Sequence, residues 1–149
     1  METKIIKIPE DGTERVVVEC HRETPTVNAI VRFVQSMNRS IRGELNESEY
    51  EIGIQDILYI ESVDNRTFLY TVDEVYRVRE RLYELENMLL DASFLRISKG
   101  VVVNLLKIVS IKPALNGRFA AVLTNNEEVI ISRKYVPDLK KKIRGGGIR

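Results

Sequence analysis

FLRISKGVVVNLLKI, residues 94–108, is the stretch whose reading decides the fold. Most of it is apolar enough for buried strands, yet Arg96, Ser98, Lys99 and Asn104 are set into it. Short apolar runs bounded by turn residues fit core strands of a sheet. Phe94 and Val101 to Val103 are then the anchors, and Arg96, Ser98 and Lys99 emerge at the rim. Asn104 follows three valines and precedes another turn, a place where an amide fixes backbone geometry or caps the next turn.

Outward from that stretch, the chain of 149 residues has the composition of an ordinary globular protein, 44% hydrophobic and 30% charged. No apolar run approaches the ~20 residues of a membrane helix, and METKIIKIPEDG lacks the features of a signal peptide. A cytoplasmic protein is expected. The lone Cys20, next to the lone His21, allows no internal disulfide and cannot by itself close a zinc site.

The net charge of +1 conceals an asymmetry. Residues 1–93 carry 11 Lys/Arg against 19 Asp/Glu, whereas residues 94–149 carry 12 against 3. An acidic first part and a basic second part point to different partners, and a basic surface is the footprint of polyanion binding. The alternative is that the two parts neutralise each other within one fold.

Lys4–Ile8 and Arg15–Cys20 read as short strands separated by PEDG turn chemistry. Val27, Ile30, Val31 and Val34 then share one helical face, with Thr24 or Thr26 as the cap and Pro25 in the first turn. IRGELNESEYEIGI is polar enough for a short strand or two. DILYIES and RTFLYTV form a hairpin across residues 56–72, turning at VDN. The spacing of Val75, Val78, Leu82, Leu85 and Leu89 predicts a second helix over DEVYRVRERLYELENMLL, opened by a Thr71-x-x-Glu74 capping box, with Asp73 and Arg77 as a surface pair. Beyond Ile108 a meander follows, with tight turns at Asn116-Gly117 and Asn125-Asn126. A terminal helix buries Val136, Leu139 and Ile143, and residues 144–149 read as a flexible tail.

Signatures of catalysis are scarce. GxGxxG, GxxxxGK[ST] and GxSxG spacings do not occur. Glu44, Glu47, Glu49 and Glu51 sit on polar sequence and read as solvated surface. Binding is the better class than enzymatic activity, and no cofactor, metal site or small-molecule ligand is expected. Arg96, Lys99, Arg118, Arg133 and Lys134 fall at strand ends or turns. Such side chains project from one edge of a sheet, where they reach phosphates or the guanine O6 and N7 acceptors. Sparse aromatic interleaving argues against a stacking platform for single strands.

Four pieces, DILYIES, VYRVRERLYELENML, FLRISKGVVVNLLKI and EVIISRKYVPDLKKKI, resemble in order and spacing the LytTR family of bacterial DNA-binding domains over about Glu44 to Ile143. The family pattern F-x-R-x-H-x-S-x-x-V-N-x-x-x-I is matched by Phe94, Arg96, Val103, Asn104 and Ile108. Ser98 stands where many members carry His, and Gly100 where Ser is usual. Ser132-Arg133 followed by Tyr135 fits the family's S-R-x-Y ending. The resemblance implies an α+β, predominantly β fold of stacked sheets that reads double-stranded DNA with loops instead of a recognition helix. Carried over, the DNA-binding positions are Asn65, Arg66 and Thr67; Arg96, Ser98 and Lys99; and Arg133 and Lys134. Residues 1–43 then form a strand-strand-helix extension, expected to make a homodimer or else to cap the domain. The reading that competes with DNA is a module docking an acidic signalling partner; an RNA partner is a third.

Overall fold

A computed structural model describes residues 1–146 of the chain. The architecture is mostly β, as expected: ten strands and three helices among the described residues. Helix α1 spans Pro25–Ser36. Seven strands follow it, β1 Ser40–Leu45, β2 Ser48–Gly53, β3 Tyr59–Val63, β4 Arg66–Tyr70, β5 Val75–Val78, β6 Phe94–Ser98 and β7 Val101–Asn104, with the short helix α2, Leu82–Met88, between β5 and β6. They form one antiparallel sheet in the order β2-β1-β5-β4-β3-β7-β6. Strands β8 Ile108–Pro113, β9 Phe119–Leu123 and β10 Glu128–Ile131 form a second sheet, and α3, Val136–Gly146, ends the described chain.

The large sheet has an apolar core on each face. On one face Ile41, Ile60, Leu69, Phe94 and Val102 pack with Leu82, Leu85 and Leu89 of the α2 segment. On the other, Tyr59, Ile97 and Val103 meet Ala121, Leu123 and Ile131 of the small sheet and Val136 and Leu139 of α3. Strands β3 and β7 are thus buried on both sides, which is why LYI and VVV read as continuous apolar runs. Ile57, Leu58 and Ile60 have no exposed surface, and each contributes about 1.5–3 kcal/mol by burial.

Some expectations fail. The predicted helix from residue 73 begins only at Leu82; Val75–Val78 is strand β5, paired with β4 and β1. Thr71 does accept the Glu74 N–H at 3.1 Å, but its own N–H donates to the Glu74 carbonyl, which closes the β4–β5 hairpin instead of opening a helix. The Asp73–Arg77 pair is lost with the helix, and Arg77 sits opposite Phe68 and Glu44. The true N-terminus of α2 lies at Arg81, whose N–H donates to the Glu84 carboxylate at 2.8 Å.

Lys4–Ile8 and Arg15–Cys20 form no strands. Two short strands with no third strand and no core face are marginal in water, and these runs lie outside both apolar clusters. The helix of the extension does form: Thr24 caps it by accepting the Val27 N–H at 3.2 Å, with Pro25 at its start. Strand β1 runs straight through Gly43–Glu44, so the large sheet begins before the boundary expected from sequence. The expected tail overlaps α3 as far as Gly146, and its residues 147–149 lie outside the described residues.

Candidate nucleic-acid interface

Three turns converge at one end of the two sheets. The first joins β3 to β4. Asp64 and Asn65 have φ of 51° and 62°, the paired left-handed geometry of a two-residue hairpin turn, and Val63 faces Arg66 across it. The second joins β6 to β7 at Lys99-Gly100. Because β7 pairs with β3, the two turns are neighbours: the Ser62 N–H donates to the Gly100 carbonyl at 2.8 Å. A Cβ at position 100 would stand 3.1 Å from the Ser62 carbonyl oxygen. Glycine there lets the two backbones approach.

The third region follows β10. The Ser132 N–H donates to the Ile97 carbonyl at 2.8 Å, and the Ser132 hydroxyl to the same oxygen at 3.2 Å. Arg133 and Lys134 are thereby set beside the Ser98 turn, in the 3-10 turn that leads into α3. A fourth turn, Leu115–Gly117, joins this end through sheet register, since Phe119 pairs with both Pro113 and Ile131. The Arg133 side chain lies across it, with Cδ 2.9 Å from where a Gly117 Cβ would be. Asn116 and Gly117 hold φ of 61° and 75°. This turn carries the exposed Arg118, which the sequence placed among the strand-end cations but the family resemblance did not place among the DNA-binding positions; its Asn-Gly pair and following arginine are the signal that marks it.

The expected contact residues divide into two groups. Asn65, Arg66, Lys99, Arg133 and Lys134 are exposed, and the four cations form no ion pair among the described residues. Lys134 lies 5.6 Å from the centroid of the Tyr135 ring. The other three are held inside the fold. Thr67 is buried, its side chain on the α2 face between Ser62 and Val78. The Ser98 hydroxyl accepts the Gly100 N–H of its own turn at 3.4 Å. Arg96 is a clamp: Nε donates to the Ser98 carbonyl at 2.9 Å, one terminal nitrogen to the Glu86 carboxylate of α2 at 2.7 Å, and the other to the Lys99 carbonyl. Its position follows from a β-bulge, in which Arg96 and Ser98 pair with Val102 and Val101 and leave Ile97 as the extra residue.

Asn104 has the structural part expected of it. It is buried, donates to the Ile57 carbonyl at 2.9 Å and accepts the Leu106 N–H at 3.1 Å. Two glutamates of the β1–β2 hairpin, Glu49 and Glu51, serve local ion pairs: Arg42 bonds Glu51 at 2.7 Å and holds that carboxyl below its usual range. Arg79 reaches Glu49 at 3.8 Å.

Comparison with known proteins agrees with this fold. Bacillus anthracis sensory transduction protein LytT is 33% identical over 100 residues, 67% of this chain and 41% of that protein. The Enterococcus faecalis LytT is 33% identical over 104 residues, 69% of this chain and 42% of the relative. This chain thus spans about two-fifths of the LytT proteins it matches. An uncharacterised HTH-type transcriptional regulator of Staphylococcus aureus is 25% identical over 119 residues, covering 78% of this chain and 80% of its own length. A solved LytTr DNA-binding domain from Bacillus cereus shares the fold, with a TM-score of 0.66 at 22% identity over 70% of this chain and 95% of that one. Residues 47–144 match the LytTr DNA-binding domain, and the chain belongs to that family.

Proposed function

We propose that the protein is a transcriptional regulator that binds double-stranded DNA sequence-specifically through the turns at one end of its sheets, as a cytoplasmic homodimer. The observation that carries this reading is the gathering of Arg66, Lys99, Arg133 and Lys134 on adjacent turns with no carboxylate paired to them among the described residues. A turn enters the major groove where a whole sheet cannot. Arg133, braced across Gly117, is suited to the O6 and N7 atoms of guanine, and Asn65 to adenine. Arg66, Lys99 and Lys134 supply phosphate contacts that fix orientation. Arg96 and Ser98 act behind this surface by holding the Lys99 turn. No helix among the described residues is long and apolar enough to cross a membrane.

Selection from random duplexes tests the proposal. An enriched motif of two imperfect repeats about one helical turn apart is expected. With Arg66, Lys99 and Lys134 on phosphates, the logarithm of affinity falls against the logarithm of salt with a slope of about −3 per chain. A flat salt response, or no enrichment over random duplex, would remove DNA as the partner and favour an acidic protein.

A further inference from the structure

The turn between β8 and β9 carries a cation that the proposed contact set does not use. Arg118 is exposed and makes no ion pair among the described residues. It is nevertheless held in place. Its carbonyl accepts the Ala114 N–H at 2.8 Å, and its own N–H donates to the Leu115 carbonyl at 3.3 Å. The Arg118 Nε donates to that same carbonyl at 3.1 Å. Three bonds tie the residue to its turn, and the two terminal nitrogens of the guanidinium are left as the donors for a ligand. The turn is also continuous with the neighbouring contact residues. Arg118 precedes Phe119, which pairs with Ile131, and the next residue, Ser132, is bonded to Ile97. Arg133 lies across Gly117, so the two arginines flank one glycine.

The surroundings are cationic. Residues 92–126 include no Asp or Glu, and Lys140 of α3 lies 5.5 Å from the centroid of the Phe119 ring. The acids on the adjoining elements are Asp138 in the first turn of α3 and Glu128 at the start of β10, opposite Val122 and three register pairs from Phe119. Neither is bonded to Arg118.

We infer that Arg118 is a contact for a DNA phosphate, and that its turn is a fourth contact element beside the three regions carried over from the family resemblance. This deepens the proposed DNA reading and rests on it. The geometry favours a phosphate over a base. Arg118 folds back on the Leu115 carbonyl, so its guanidinium lies along the turn instead of extending past it. Base edges lie at the floor of a major groove about 8.5 Å deep, whereas phosphates form its walls. A side chain folded back on its own turn reaches the wall, and the planar guanidinium matches two phosphate oxygens there.

Single methylphosphonate substitutions walked across the selected duplex test the contact, because each removes one phosphate charge. With the unsubstituted full chain, several positions should weaken binding. In Arg118→Ala one of those losses should vanish while the others persist. That variant should bind the selected duplex and a random duplex about 3–10-fold more weakly, by the same factor on each, with a salt slope shallower by about 0.9. Arg118→Lys keeps the charge and should keep the slope. Identical methylphosphonate profiles and parallel salt slopes for Arg118→Ala and the unsubstituted chain would overturn the inference and leave the DNA reading standing. A loss confined to the selected duplex would make Arg118 a base reader and would also overturn it. An unsubstituted chain that binds no duplex would overturn the DNA reading and the inference with it.

Discussion

Glu86→Gln separates two roles that Arg96 could have, because they predict opposite outcomes. Arg96 bonds the Glu86 carboxylate at 2.7 Å while its other nitrogens hold the Ser98 and Lys99 carbonyls. The two side chains are 20% and 33% exposed, so solvent screens the pair, and its net value is about 1 kcal/mol. Glutamine keeps the shape and one acceptor oxygen but removes the charge that orients the guanidinium. The melting temperature should fall by about 3–4 °C. With the guanidinium less firmly placed, the Lys99 turn loosens.

DNA binding to the selected site should weaken by about 3–10-fold, equivalent to ~0.7–1.4 kcal/mol, and the ratio to a random duplex should fall with it. The salt slope should stay parallel to that of the unsubstituted protein, since no phosphate contact is gained or lost. Fluorescence anisotropy across a salt series measures both quantities. If Arg96 instead contacts a phosphate directly, freeing it from Glu86 should tighten binding and steepen the slope by about 0.9. Tighter binding with a steeper slope would refute the clamp.

Asn104→Ala leaves the Ile57 carbonyl and the Leu106 N–H without their partner; at ~1–3 kcal/mol per buried unpaired group, urea denaturation should show a loss of about 2–4 kcal/mol with little change in slope. Arg133→Ala should cost ~1–3 kcal/mol of DNA affinity and relax the preference at one base position, and an unchanged gel shift at moderate salt would take Arg133 out of the interface. Burial raises the Tyr59 hydroxyl's pKa, reinforced by its bond to Glu127, and burial with a bond to Glu61 raises that of Tyr70. Such a group stays protonated in the fold after the unfolded chain has ionised, so its contribution is intact below a pH of about 10 and is lost as pH rises above it. Tyr59→Phe should flatten that alkaline decline in a series of urea midpoints, and an equally steep decline in the variant would contradict it.

What the sequence made legible was local chemistry whose meaning does not depend on tertiary neighbours. The Asn116-Gly117 turn, the β3–β4 hairpin, the stripe Val136, Leu139 and Ile143 and the capping role of Asn104 belong to that class. The misread helix shows the limit. Val75, Val78, Leu82, Leu85 and Leu89 fall at helical spacing, but the series spans a strand and a separate short helix. Thr71 with Glu74 makes the same hydroxyl-to-N–H bond in a hairpin turn as in a helix cap. Only the pairing of Val75–Val78 with β4 distinguishes the two, and that is a tertiary fact. At the interface, the sequence set Arg96 at the rim with Ser98 and Lys99, whereas in the fold its guanidinium turns to Glu86 of α2. The extra residue Ile97, which turns the next side chains, was not visible because a bulge is defined by the partner strand.

The same bulge bears on how loops, on the proposed reading, would enter a groove without a recognition helix behind them. A loop is ordinarily mobile, and ordering it on binding would cost affinity. Here each turn is bonded to another: Ser62 to Gly100 across β3 and β7, Ser132 to Ile97 across the two sheets, and Arg96 to both carbonyls of the Lys99 turn. Cores on both faces of the large sheet hold the strands that carry them. The backbone of the contact surface is therefore ordered before DNA arrives. What remains to be fixed is the side chains, at about 0.5–1.5 kcal/mol each. Arg133 is partly ordered already by lying across Gly117. On the proposed reading, the residues that decide affinity thus include some that stand behind the contact surface, Gly100, Ser132 and Arg96 among them.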